Sequence, residues 1–506
     1  MTIQLLEIGW QDENGVLLGT WTNQADVVDE NDEIIVDSAV VVDALAGEDK
    51  IIGPSIEADF SNGIINNGTI DTSEGDDFIA GFGDDNGIIN NGTIDTSEGD
   101  DSIEANSGGV AIDNNGTIDT GRGNDSIEVD SGGVAIDNSG TIDTGRGDDS
   151  ILLEDGSFAN GFINEGTIDT GRGNDFIAGI GGETFILNTS GATIDLGKGD
   201  DSIIADGGIV GIGNGGTIKT GNGNDSIVAN GSFDGFGLGN SGTIDTGNGN
   251  DSITADGGID TIINDGTINT GNGNDSIVAN DNFGSFGLGN SGTIDTGNGN
   301  DSIAGTGEEG FGLDNSGTID TGNGNDSIVA NGSFDGFGLG NSGTIDTGNG
   351  NDSIVANMAN IAFVGNALDN SGIIDTGKGD DTITATVESD ESEDESFAII
   401  NNGTIDTGAG KDSITSIGFD EFSGFAGSGE IVLGAGDDTI NGFGEQTVFG
   451  GDGSDTAVFE FDFSEAIVSD GSAPNSVEVE ANETTMTFFE VEQFVFADLI
   501  LDVDFV

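Results

Sequence analysis

The chain has 506 residues, of which 95 are acidic and 8 are lysine or arginine, for a formal charge of -87. Such self-repulsion opposes any compact state unless cations neutralise it, and it excludes nucleic acid as a partner because every phosphate would meet the wrong sign. Glycine stands at 93 positions against 2 prolines, without cysteine, histidine or tyrosine, which excludes collagen, a disulfide framework and soft-metal sites; any bound metal is expected to be a hard cation held by oxygen.

Residues 1–40 stand apart and hold both tryptophans, Trp10 and Trp21. The runs 2–10 and 16–21 flank D-E-N-G at 12–15, and an Asn-Gly pair between strand-like runs is a hairpin signal. This segment is expected to cap or dock one end of the remaining chain. Met1 leads into T-I-Q-L-L-E-I-G-W, with neither a basic n-region nor an apolar h-region, so no cleaved N-terminal signal is expected. No apolar run approaches the ~20 residues of a membrane helix, so no membrane insertion is expected.

Residues 41–458 are an array. The stretch G-T-I-D-T-G-N-G-N-D-S-I-T-A at 242–255 recurs throughout, and 221–253 is repeated letter for letter at 322–354. The last Asp of each G-x-G-x-D turn falls at Asp77, Asp101, Asp125, Asp149, Asp175, Asp201, Asp225, Asp251, Asp275, Asp301, Asp326, Asp352, Asp381, Asp412, Asp438 and Asp455, mostly 24 to 26 residues apart, after a weaker copy at Asp49. In the unit of Asp251, Phe236, Leu238 and Asn240 alternate with small residues, Ile244 follows, and Ile253 and Ala255 lie beyond the turn. Period-two alternation over such short runs predicts three brief strands per unit. The fold class is therefore all-β: an elongated parallel β-helix, a β-solenoid with one G-x-G-x-D turn per coil. At about 4.8 Å per coil the turns would span roughly 75 to 80 Å.

Two internal apolar ladders are expected, one through Ile70, Ile94, Ile118, Ile142 and Ile168 and one through Ile79, Ile103, Ile127, Ile151 and Ile177. A polar ladder runs from Asn66, Asn90 and Asn114 through Asn138, Asn164 and Asn188 onward to Asn401. Stacked amides bond the copies above and below, so this row reads as structural. Insertions at 357–366 and 384–398 interrupt the period, and the second, an acidic run, reads as a solvated bulge.

Glycine at both G positions permits strained backbone, so that successive carbonyls turn to one side and the Asp adds a carboxylate at the same point. The candidate metal ligands are the sixteen aspartates from Asp77 to Asp455 with Gly123, Gly147, Gly173, Gly223, Gly249, Gly273, Gly299, Gly324 and Gly350. Leu45, Ser73 and Ser97 replace the first glycine in the first three copies, where weaker or altered sites are expected. Carbonyls and carboxylates of adjacent turns suit the six to eight oxygens of calcium better than the octahedron of magnesium, and on the order of fourteen ions are expected along one edge. Arg122, Arg146, Arg172 and Lys198 occupy the first x in four consecutive turns. They read as local neutralisation, with docking onto an acidic neighbour as the sharper alternative.

G-G-D-G-S-D-T-A-V at 450–458 and T-G-N-G-N-D-S-I-V at 220–228 resemble the nonapeptide of the RTX, or haemolysin-type, calcium-binding repeats. The resemblance implies calcium as the ligand and a roll-like fold. RTX rolls set such turns every nine residues on both edges, whereas here one occurs per coil, implying a broader coil with calcium on one edge only. It also implies type I secretion, with residues 459–506 as a β cap carrying an uncleaved C-terminal signal, and hence an extracellular or cell-surface location.

The resulting expectation is a calcium-stabilised structural protein at the cell surface that assembles with itself head to tail into fibres or a sheath. An adhesin binding surface polysaccharide or cells is one alternative. An RTX-type ice-binding protein is another, although Asn, Arg, Lys or Glu interrupt the threonine row that ice-binding turns present. An enzyme is not expected, because a regular ladder lacks the irregular constellation that perturbs catalytic groups.

Overall fold

The computed structural model describes residues 3–6, 9–12, 17–19, 24, 27–29, 34–37, 40–53, 61–155, 160–181, 183–232, 235–281, 286–334, 336–359, 365–388 and 396–503. They form parallel β-solenoid coils in two units, Met1–Ala255 and Asp256–Val506.

In the first unit, one coil runs through the strands Asn86–Asn90, Thr93–Asp95 and Ser102–Ser107. Apolar residues alternate within each short run, so each strand sends Ile88, Ile94 or Ile103 inward while the intervening side chains face out. The corner at Asn91-Gly92 is tight: a Cβ on Gly92 would collide with the Gly68 carbonyl of the preceding coil. Each strand pairs in parallel and in register with its copy one coil on, Ile88 with Ile112, Ile94 with Ile118 and Ile103 with Ile127. Both expected isoleucine ladders, Ile70 to Ile168 and Ile79 to Ile177, are fully buried.

The asparagine row is buried and closed on itself. Asn90 Nδ2 donates to Asn114 Oδ1 at 2.8 Å and to the Thr117 carbonyl at 2.9 Å. Its Oδ1 accepts from Asn66 Nδ2 at 2.8 Å and from the Gly92 N–H at 3.3 Å. Two donors and two lone pairs are thereby used, the full capacity of an amide.

Ahead of the array, Ile3–Leu6 pairs antiparallel with Gly9–Asp12, and Leu17–Gly19 adds to the latter. Ile3–Leu6 also pairs in parallel with Ile34–Val36. The run 2–10 thus holds two strands, and the Asn-Gly turn lies outside the described residues.

The second unit repeats the plan, with Phe286–Asn290, Thr293–Asp295 and Ser302–Thr306 pairing onto Phe311–Asn315, Thr318–Asp320 and Ser327–Ser333. Strands flanking both insertions keep register, Ser353–Ala359 with Thr382–Val387 and Asn366–Asn370 with Ile399–Asn401. The centres of those insertions, 360–364 and 389–395, lie outside the described residues.

Beyond Val458 the repeat gives way to an antiparallel meander of Ala466–Asp470, Ser476–Ala481 and Thr484–Phe489. The core changes from isoleucine to phenylalanine here. Phe443 meets Phe461, and Phe488 meets Phe494, edge to face with ring centroids 5.2 Å apart. Among the described residues no helix is long and apolar enough to cross a membrane.

Candidate functional site

The site is the glycine turn joining each threonine strand to the following serine strand. The first glycine sits in left-handed backbone, with φ +88 at Gly121 and +93 at Gly247. Leu45, Ser73 and Ser97 hold the same conformation at φ 71, 65 and 69, so the backbone turn survives their substitution. Left-handed backbone costs a residue with a Cβ about 1–2 kcal/mol. Local bonds offset part of that: the Ser73 N–H donates to Asp71 Oδ1 at 2.9 Å, and the Leu45 N–H to Asp43 Oδ1 at 2.9 Å.

The second glycine is required for a different reason. A Cβ on Gly99 would collide with the Gly75 carbonyl oxygen, and one on Gly123 with that of Gly99. Only a glycine lets the backbones of stacked turns approach so closely. Among the described turns, the carbonyls of Gly123, Gly147, Gly173, Gly223, Gly249, Gly273, Gly299, Gly324 and Gly350 accept no backbone hydrogen bond.

The aspartates point inward. All sixteen, from Asp77 to Asp455, are at most 2% exposed. Within each unit the Oδ1 takes the main-chain N–H of the corresponding Asp one coil earlier: Asp77 N–H to Asp101 Oδ1 at 2.8 Å, Asp149 to Asp175 at 2.9 Å, Asp225 to Asp251 at 2.8 Å. In the second unit Asp275 donates to Asp301 at 2.8 Å and Asp381 to Asp412 at 2.9 Å. The other oxygen is left over. Oδ2 is buried without a hydrogen-bond partner in Asp77, Asp101, Asp125, Asp149, Asp175, Asp201 and Asp225, and again in Asp301, Asp326, Asp352, Asp381, Asp412, Asp438 and Asp455.

Burial pushes the Asp101, Asp149, Asp201 and Asp412 carboxyls up to about 7, against an ordinary 3.8. It raises those of Asp125, Asp175, Asp301, Asp352, Asp381 and Asp455 to about 6. Carboxylates in adjacent coils add to the rise at Asp149 and Asp201, while the N–H bond to Oδ1 opposes it. A buried carboxylate oxygen can only accept, so a stack of them demands protons or cations.

A threonine row, not anticipated from the sequence, shares this space. The hydroxyls of Thr96 and Thr120 stabilise the Asp101 and Asp125 carboxylates of their own turns. Thr96 Oγ1 itself donates to the Thr120 carbonyl in the next coil, at 3.3 Å. The signal was present in the sequence as the T of T-G-x-G-x-D, replaced by Leu196 before Asp201 and by Leu433 before Asp438.

Among the described residues no three acidic side chains converge on one point. The turns instead line each gap with a carboxylate oxygen, carbonyls free of backbone bonds and, in most coils, a hydroxyl. That donor set fits a hard cation held mainly by neutral oxygens. On the outer side of the turn a second ladder runs the opposite way, the Asn124 N–H donating to Asp100 Oδ1 at 2.8 Å. In the basic row, Arg122 Nη1 meets Glu98 Oε1 at 2.7 Å with both side chains more than half exposed, a pair worth little in water.

No protein-family model matches the chain, and no curated protein matches it. Among solved structures it is similar to one titled as a hyperactive, Ca2+-dependent, beta-helical antifreeze protein from an Antarctic bacterium, at 16% identity over 96% of this chain and 95% of that one, with a TM-score of 0.19. A likeness at that level carries no argument about function, and the fold rests on this chain's own in-register ladders.

Proposed function

We propose that the chain is a calcium-stabilised structural solenoid of the cell surface. One observation carries the reading: turn after turn buries an aspartate whose Oδ2 has no partner, in a chain of formal charge -87. At neutral pH those carboxylates need a counter-charge, and the surrounding carbonyl and hydroxyl oxygens would complete its shell. Calcium tolerates such irregular sets, whereas magnesium keeps its waters and demands an octahedron. Sites with so little carboxylate each are weak, which matches calcium at about 10⁻³ M outside cells rather than the scarce cytoplasmic ion. Export from the cell, and head-to-tail assembly into fibres or a sheath, belong to this proposal. Assembly would mate the N-terminal strands of one copy with the C-terminal strands of the next, a head-to-tail contact that need not close.

Sedimentation velocity with far-UV circular dichroism on full-length, chelator-treated protein tests it as calcium is returned to the millimolar range. Gain of β signal with growth into large particles supports a calcium-triggered fibre, while compaction to one elongated monomer supports the solenoid but not its assembly. An unchanged chain would remove calcium from the account.

A second reading has one observation behind it. The threonine strand presents Thr69, Thr93, Thr117, Thr141, Thr167 and Thr193 outward in register, a rank of hydroxyls and methyls at strand spacing of the sort an ice surface could match. Beside it runs a charged rank, Asp71, Asp95, Asp119, Asp143, Asp169 and Asp195, which holds its own water and favours the structural role. Calcium-loaded protein that leaves growing ice crystals unshaped removes the ice-binding reading.

A further inference from the structure

The aspartate ladder does not stop at Asp455. In the second unit each Asp N–H from Asp275 to Asp438 donates to the Oδ1 of the next coil, Asp412 to Asp438 at 2.7 Å and Asp438 to Asp455 at 3.0 Å. The Asp455 N–H donates to Glu492 Oε2 at 2.8 Å. The main chain repeats the equivalence. Thr456 N–H donates to the Asp438 carbonyl at 2.9 Å, and Gln493 N–H to the Asp455 carbonyl at 3.0 Å. Strand Gln493–Val495 lies in parallel on Thr456–Val458, with Phe494 opposite Ala457 and fully buried, so E-Q-F-V takes the place of D-S-I-V. The other side of the turn is continued too, Thr484–Phe489 lying in parallel on Thr447–Gly453 with Phe488 opposite Val448.

This last coil has no glycine turn. Phe488 and Phe494 are six residues apart where Ile94 and Ile103 are nine apart. The shortened connection brings Glu490 into left-handed backbone at φ 56. Its carbonyl oxygen comes so close to Gly450 that a Cβ there would collide with it, and the same Cβ would stand 2.5 Å from Asp455 Oδ2. Gly450 holds the position that Thr96 and Thr120 hold in earlier turns, five residues before the Asp. The Glu490 carbonyl therefore stands where a threonine hydroxyl otherwise would. Asp455 is fully buried and its Oδ2 has no hydrogen-bond partner.

We infer that Glu492, the Glu490 carbonyl and Asp455 form a terminal cation site, in which a calcium ion clamps the C-terminal strands onto the end of the array. The inference rests on the calcium reading above and adds to it a carboxylate from outside the repeats. A glutamate is one methylene longer than aspartate, which lets a strand arriving through a shorter turn still reach the ladder. The ion would bridge residues 37 positions apart in sequence, making closure of residues 484–503 dependent on calcium.

Hydrogen exchange read by mass spectrometry during a calcium titration of the full-length chain tests this, with Glu492→Gln compared against Glu480→Gln, an exposed position on the same meander that removes the same charge. Removing a charged ligand from a weak site should raise the calcium needed to protect residues 484–503 about tenfold in E492Q, while coils 61–155 protect as in the parent. E480Q should behave as the parent. Coincident curves for E492Q and the parent, or equal shifts in both variants, overturn the inference. A parent chain whose coils 61–155 gain no protection with calcium overturns the calcium reading itself.

Discussion

Two buried polar ladders run through the same coils and meet opposite fates. In the asparagine ladder each amide both gives and receives, so Asn114 closes onto Asn138 at 2.7 Å and onto the Thr141 carbonyl at 3.0 Å. In the aspartate ladder each carboxylate only receives, so Asp125 Oδ1 is used by the Asp101 N–H at 2.8 Å while Oδ2 has no hydrogen-bond partner. Both rows are buried and stacked in parallel register. The amide row needs nothing from solution; the carboxylate row is incomplete until a proton or a cation joins it. One ladder specifies the fold, and the other makes it conditional.

The contrast is broken most severely by carrying the carboxylate into the amide row. Asn138→Asp deletes the donor to Asn164 Oδ1 and to the Thr167 carbonyl, at 2.8 and 3.1 Å, and buries a charge with no cation-lined gap beside it. We expect a loss of about 3 kcal/mol or more, read from denaturant unfolding in calcium, with little recovery from added calcium.

The converse change, Asp149→Asn, sharpens it. In calcium it removes a ligand and should cost about 1–3 kcal/mol; without calcium at pH 7 it removes a buried acceptor-only group and should raise stability above the parent. Unfolding curves for both proteins with and without calcium would show crossing orders. The same order in both conditions would mean that Asp149 holds no cation.

Acidity separates the two rows in the parent chain. The Asp101, Asp149 and Asp201 carboxyls lie near 7 in the fold against an ordinary 3.8, so between those values the calcium-free fold binds more protons than the unfolded chain. Its stability therefore falls as pH rises from about 4 to about 7 and levels off beyond. Calcium should flatten or reverse that slope, because protons then compete with the ion. Thermal midpoints across this range, with and without calcium, give the comparison directly.

The smallest effect concerns the turn itself. Ser97→Gly relieves left-handed backbone at φ 69 but gives up the Oγ bond to Asp95 Oδ1 at 3.0 Å, so a net gain of about 0.5–1 kcal/mol is expected in the unfolding midpoint.

Much of this was legible in the sequence. The isoleucine ladders follow from period-two alternation, and the asparagine row from a side chain placed just before each corner. The sequence also placed an Asp in every turn. It could not show that the carboxylate turns inward, because its partner is a peptide N–H 24 to 26 residues away, in register only after the coils stack. The threonine row was visible as letters but not as neighbours of the carboxylate. Glu492 was hidden because its spacing of 37 residues from Asp455 breaks the period and no glycine announces the turn.

The sequence by itself determined a parallel solenoid with one glycine turn per coil, since alternation and repetition are local properties that each coil imposes on the next. Only the tertiary structure decided which polar row is complete. Hydrogen-bond satisfaction depends on the donors and acceptors that stacking brings together: an amide meeting its own copy satisfies itself, and a carboxylate meeting its own copy does not.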